Sequence, residues 1–112
     1  RFFVEPRTAA PGATVTLVLH NGTAHQVGYN LCGSGLEQLQ SGTWRNIPRG
    51  GVCTRELRIV APGQQARYPT RLPSSLAAGT YRFRTGVETP LNRGTPGLDT
   101  IYSEAFTVSS RR

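Results

Sequence analysis

Residues 79–87 read GTYRFRTGV. Tyr81, Phe83 and Val87 share one phase of a two-residue period, and Arg82 and Arg84 share the other. Successive side chains on a strand point to opposite faces, so this stretch buries its rings and turns its arginines outward.

The same period extends in both directions. TVTLVLHNGT (14–23) groups Val15, Leu17 and Leu19, with Thr14 and Thr16 opposite. Asn21-Gly22 then predicts a hairpin, because both residues tolerate positive φ. Asn-Gly-Thr also matches a glycosylation acceptor, although the turn alone accounts for it. HQVGYNLC (25–32) resumes with Val27, Tyr29 and Leu31, and GLEQLQSGTWRNIP (35–48) reads as a short meander turning at Ser41-Gly42. CTRELRIV (53–60) alternates through Leu57 and Ile59 and closes at Pro62-Gly63. QQARYPTRLP (64–73) groups Ala66, Tyr68 and Leu72. Pro69 within it has no N–H for a ladder, which places this strand at an edge or a bulge. DTIYSEAFTV (99–108) has apolar residues in both phases, Ile101 against Tyr102, Phe106 and Val108, which predicts a bulge near Ser103-Glu104. RFFVEPR (1–7) is too apolar for a free tail and reads as a short edge strand limited by Pro6 and Pro11. No helical stripe longer than one turn is present. Residues 1–112 therefore form a single all-β domain of seven to eight short antiparallel strands, a sandwich or a barrel.

Composition narrows the class. Glycine (13) and proline (8) are spread along the chain, as turns between many strands require. No apolar run approaches the roughly 18 to 20 residues that span a bilayer. The chain starts at Arg1 without a signal-type segment, so we expect a mature or trimmed chain. The formal charge is +7, carried by 13 arginines and no lysine. Codon bias in a GC-rich genome produces such a pattern, and so does contact with an acidic protein or an anionic membrane surface.

Cys32 and Cys53 are the only cysteines. A structural zinc needs about four closely spaced ligands, and His20 and His25 lie far from Cys53 in sequence. Blue copper is excluded by the lack of Met and of a His following either cysteine. Nothing in the sequence pairs a histidine with a cysteine nucleophile. A Cys32–Cys53 disulfide uses the even count and fits an exported domain, and closing such a loop contributes about 3 kcal/mol. The six carboxylates are scattered and read as solvated partners of arginine, and Trp44 reads as a packing residue over the clipped segment. We expect no catalytic residues, no metal and no cofactor.

LAAGTYRF (76–83) resembles the tyrosine-corner approach to the sixth strand of immunoglobulin-like domains, with Tyr81 as the corner. Phe83 stands where antibody domains have cysteine, so the resemblance excludes their intersheet disulfide. PGATVTLVLHN, QSGTW, APGQQARYPTRLP, LAAGTYRFR and SEAFTV together resemble small bacterial Ig-like domains of exported proteins and lipoproteins, over residues 11–108. That resemblance implies an Ig-like β-sandwich and a structural or accessory role in the periplasm or at the cell surface.

The function expected from these readings is a non-catalytic extracytoplasmic module docking on a larger envelope or surface assembly. Candidate partner-contacting residues are Arg67 and Arg71 on one sheet, Arg82 and Arg84 on the other, and Phe2 and Phe3 at the N-terminal strand. Nucleic acid is disfavoured, because strand alternation puts Tyr81 and Phe83 on the face opposite the arginines. The alternative is a small proteinase-inhibitor-like or ligand-binding domain that presents a long loop at 86–100.

Overall fold

The computed structural model describes residues 1–49, 53, 56–89 and 97–109. Two sheets enclose one core. The smaller sheet has the order β1 (Phe2–Glu5), β3 (Thr14–His20), β8 (Gln65–Arg71). The larger is built around the long central strand β9 (Gly79–Thr89). One edge of β9 pairs with β10 (Gly97–Tyr102) and β11 (Phe106–Val108). The other edge pairs with β4 (Val27–Tyr29) and β5 (Gly35–Gln40). β7 (Arg58–Val60) flanks β4, β6 (Thr43–Ile47) flanks β5, and β2 (Thr8–Ala9) lies parallel to β11.

The described residues thus form eleven strand segments rather than seven or eight, and the pairing is not wholly antiparallel. The extra segments come from interruptions. A 3₁₀ turn at Leu31–Gly33 separates β4 from β5. The cis Glu5–Pro6 bond lies where the chain leaves the smaller sheet as β1 and joins the larger as β2.

The third interruption falls where the mixed phase of DTIYSEAFTV puts it. Tyr102 pairs with Arg84 and Phe106 with Tyr81, so three residues on one strand face two on the other. Ser103 fills the gap in the ladder. Its backbone nitrogen donates to Phe83 O (2.8 Å), and its hydroxyl accepts from Phe83 N (2.9 Å).

The alternation read from 14–20 and 79–87 holds. Val15, Leu17, Tyr81 and Phe83 are fully enclosed, and Phe83 stacks on Phe106 with ring centroids 5.6 Å apart. The buried Tyr81 hydroxyl donates to Ala77 O at 2.6 Å. Burial pushes its pKa up. Ser41 and Gly42 both have positive φ and close the β5–β6 hairpin. Pro69 sits on β8, an edge strand.

Four sequence expectations are corrected. Asn21-Gly22 is not a hairpin, since neither residue has positive φ and the chain crosses from β3 in one sheet to β4 in the other. The Asn21 side chain is buried and organises this crossing. Its amide nitrogen donates to His25 O and Val60 O, and its oxygen accepts from Thr23 N and Thr23 Oγ1. That nitrogen is no accessible glycosylation acceptor. Leu57 and Ile59 are exposed, and Val60 is the residue of that segment that enters the core. Tyr68 does not join Ala66 and Leu72 in full burial. The 86–100 loop is shorter than expected, because Gly86–Thr89 pairs with Gly97–Thr100. Residues 90–96, which join those strands, lie outside the described residues, as do Arg111 and Arg112.

The Cys32–Cys53 disulfide is present, with Cα atoms 5.8 Å apart. It ties the 3₁₀ turn to the segment preceding β7. A disulfide is consistent with an oxidising compartment. No helix among the described residues is long and apolar enough to cross a membrane. Replacing both cysteines by serine should lower unfolding stability by about 3 kcal/mol, the loop-closure entropy restored to the unfolded chain. Tyr81→Phe should lower it by about 1–2 kcal/mol by leaving Ala77 O without its donor. Urea unfolding of the variants beside wild type checks both values.

Candidate functional site

The four arginines singled out from sequence lie on the outer faces of the two sheets, and each is held by the domain itself. On the smaller sheet, Arg67 pairs with Glu5 at 2.8 Å and Arg71 Nε donates to Gly12 O at 3.0 Å. Phe2 and Phe3 are buried within the domain and have little ring surface left for a partner. Phe2 belongs to the core. Phe3 and its register neighbour Val18 are buried on the outer face, with the Arg1 guanidinium 4.2 Å above the Phe3 ring.

The larger sheet has a denser arrangement. Register puts Glu37 of β5 opposite Arg82 of β9, and Gly35 opposite Arg84. Each carboxylate oxygen of Glu37 takes one guanidinium: Arg82 Nε reaches Oε1 and Arg84 Nη1 reaches Oε2, both at 2.7 Å. Gly35 leaves the Arg84 guanidinium room to lie against the strand, and a Cβ at that position would push the flexible fork aside. Trp44 stands on the neighbouring β6, opposite Leu39, and its ring lies 4.3 Å from the Arg82 guanidinium. Tyr102 of β10 approaches the same guanidinium at 3.9 Å. Arg82 is therefore layered between two aromatic rings while one edge of its fork is bonded to a carboxylate, a geometry suited to arginine and not to lysine.

The electrostatics follow from this packing. Desolvation alone pushes the Glu37 carboxyl up, and the hydrogen bonds and charges of Arg82 and Arg84 outweigh it, holding the pKa below the ordinary value. Glu37 is buried, not the solvated acid expected from sequence. Trp44, expected as a packing residue, packs on Arg82. A carboxylate with both oxygens bonded to guanidinium groups is a poor proton acceptor, so the cluster fixes charge in place and does not transfer protons. Among the described residues, no three His, Cys, Asp or Glu side chains gather as metal ligands would.

The same face of the larger sheet also carries exposed apolar side chains. Leu39, Leu57, Ile59 and Tyr102 account for four of the five exposed large hydrophobics among the described residues. Ile59 pairs with Gly28, which pairs with Glu88, and Leu57 lies over Gly28. All four therefore stand on one face of the larger sheet, Leu39 toward the Tyr81 end of β9 and Leu57 and Ile59 toward its Glu88 end. Sequence reading missed Leu57 and Ile59 because their alternation pointed to the core, and it missed Glu37 because its two partners lie 45 and 47 residues away.

Glu37→Gln should destabilise the domain by about 2 kcal/mol at neutral pH, since it leaves two partly buried guanidinium groups without their counter-charge. A depressed carboxyl pKa contributes stability that is complete above the unfolded value of 4.5 and is lost as pH falls through the folded value. The gap between wild type and variant should therefore narrow on acidification. Thermal unfolding across an acid titration measures it.

No protein-family model matches the chain, and no curated protein matches it at a significant level.

Proposed function

We propose that this chain is a non-catalytic Ig-like interaction module of an extracytoplasmic assembly, docking on a partner protein through the outer face of its larger sheet. The observation that carries the reading is that four of the five exposed large hydrophobics among the described residues, Leu39, Leu57, Ile59 and Tyr102, share that one face with an arginine packed against two aromatic rings. Exposed large hydrophobics concentrated on one face of a sheet, and nearly absent from the other, favour that face as a contact surface. Interface centres are rich in Trp, Tyr and Arg, the residues at the middle of this face.

The Ig-like assignment is supported by the tyrosine-corner bond from Tyr81 to Ala77 O and by the pairing of a three-strand sheet with a larger sheet centred on β9. The extracytoplasmic assignment is supported by the disulfide. Self-neutralisation of Arg82 and Arg84 by Glu37 favours an apolar and aromatic contact over one driven by charge alone.

Leu57→Asp combined with Ile59→Asp changes two exposed side chains, so the fold should survive. Retention of the partner from native envelope extracts should fall about 30-fold, matching the 2 kcal/mol or more of a hot-spot pair. Arg67→Gln, on the opposite sheet, should leave retention intact. Equal retention by the Asp double variant and wild type would remove the outer face as the docking surface.

A further inference from the structure

A separate feature lies at the clipped end of the sandwich, away from the outer face. There β8 and the Cys32–Cys53 bridge border a cleft of about 590 Å³, lined by Ser34, Arg49, Tyr68, Thr70 and Leu72, with Arg71 also among its walls. Among the described residues that line it, none is acidic.

Arg49 follows Ile47 at the end of β6 and turns in beneath the sandwich. Its guanidinium lies 5.3 Å from the centroid of the fully buried Phe83 ring. Its Nη1 is enclosed, and no protein atom among the described residues accepts a hydrogen bond from it. Six other described arginines (Arg1, Arg7, Arg58, Arg67, Arg82 and Arg84) each reach a carboxylate. Arg49, the one that reaches inward, does not. Burial holds its pKa below the ordinary arginine value. Guanidinium stays protonated in proteins and has no neutral form to retreat to. A half-buried guanidinium in the wall of a cleft whose described lining holds no acidic side chain is complementary to a negatively charged group.

We propose that this cleft binds a carboxylate borne on an apolar body, with the carboxylate oxygens facing the Arg49 fork and the body against Leu72 and Tyr68. The planar guanidinium matches a carboxylate in two-point geometry. The volume of the cleft exceeds what a bare carboxylate occupies, which is why an apolar body is part of the ligand class. The source is either a free organic acid or the terminal carboxylate of a peptide chain, since both present the same group.

The test uses the whole ¹⁵N-labelled domain titrated with benzoate, with N-acetyl-phenylalanine and its amide, and with inorganic phosphate, reading backbone amides around Ser34, Thr70 and Leu72. Benzoate or the acid should give saturable shifts confined to the cleft, and the amide should give none. Arg49→Gln should weaken binding at least tenfold, whereas Arg45→Gln, on the exposed edge of β6, should not change it. Arg49→Lys keeps the charge without the fork and should fall between. It also serves as the test if the Gln variant does not fold. Tighter binding of N-acetyl-phenylalanine than of benzoate identifies a peptide terminus as the source, and the reverse identifies a free organic acid. Each of these outcomes supports the site. Absence of saturation with every probe would overturn it. So would equal binding by Arg49→Gln and wild type, phosphate binding as well as the carboxylates, or shifts spread evenly over the surface arginines.

Discussion

The reciprocal pair of hydrogen bonds between Phe83 and Ser103 holds the one-residue excess on which the sandwich closes. Ile101 and Phe106 are an odd number of residues apart, so an uninterrupted strand would send them to opposite faces. With the bulge, Phe106 packs on Phe83 in the core and Ile101 packs against the same cluster. The bulge also turns Glu104 toward the smaller sheet. Its backbone nitrogen donates to Phe2 O, and its carboxylate is bonded by Arg1 at 2.7 Å and Arg7 at 2.8 Å. The hydrogen bond from Arg1 is the main reason its pKa lies below the ordinary value. One inserted residue thus sets the phase of the last strand and anchors the first.

The charge distribution has a comparable economy. Glu5, Glu37, Glu56 and Glu104 are each bonded to at least one arginine, and two of them hold two. A formal charge of +7 therefore does not translate into a uniform basic surface. Most of these pairs are exposed and contribute little to stability. The Glu37 cluster differs because register, a glycine and two aromatic rings enclose it together.

Much of the fold was legible in the sequence where one face of a strand is fully buried. TVTLVLH and GTYRFRTGV are central strands, and their alternation transfers directly to the structure. The bulge was legible because its two phases conflict within ten residues. The β7 segment was not, since a three-residue edge strand carries too few side chains for its phase to decide which face is inward. Asn21-Gly22 misled because backbone tolerance at a turn and side-chain bonding across a sheet crossing favour the same residue. The candidate site was legible only in part. Arg82 and Arg84 were placed on the correct face, but Glu37, Trp44 and Tyr102 reach them through pairings of β9 with both of its neighbours, which no local pattern encodes.

Pro69 bears on how the molecule behaves among copies of itself. Strand β8 is seven residues long and lies at the margin of the smaller sheet, where another chain could add a strand. Pro69, the fifth of its seven residues, has no N–H and divides that margin into runs of four and two. The longer run is only four residues, so this edge should template fibre growth poorly when copies of the chain crowd together.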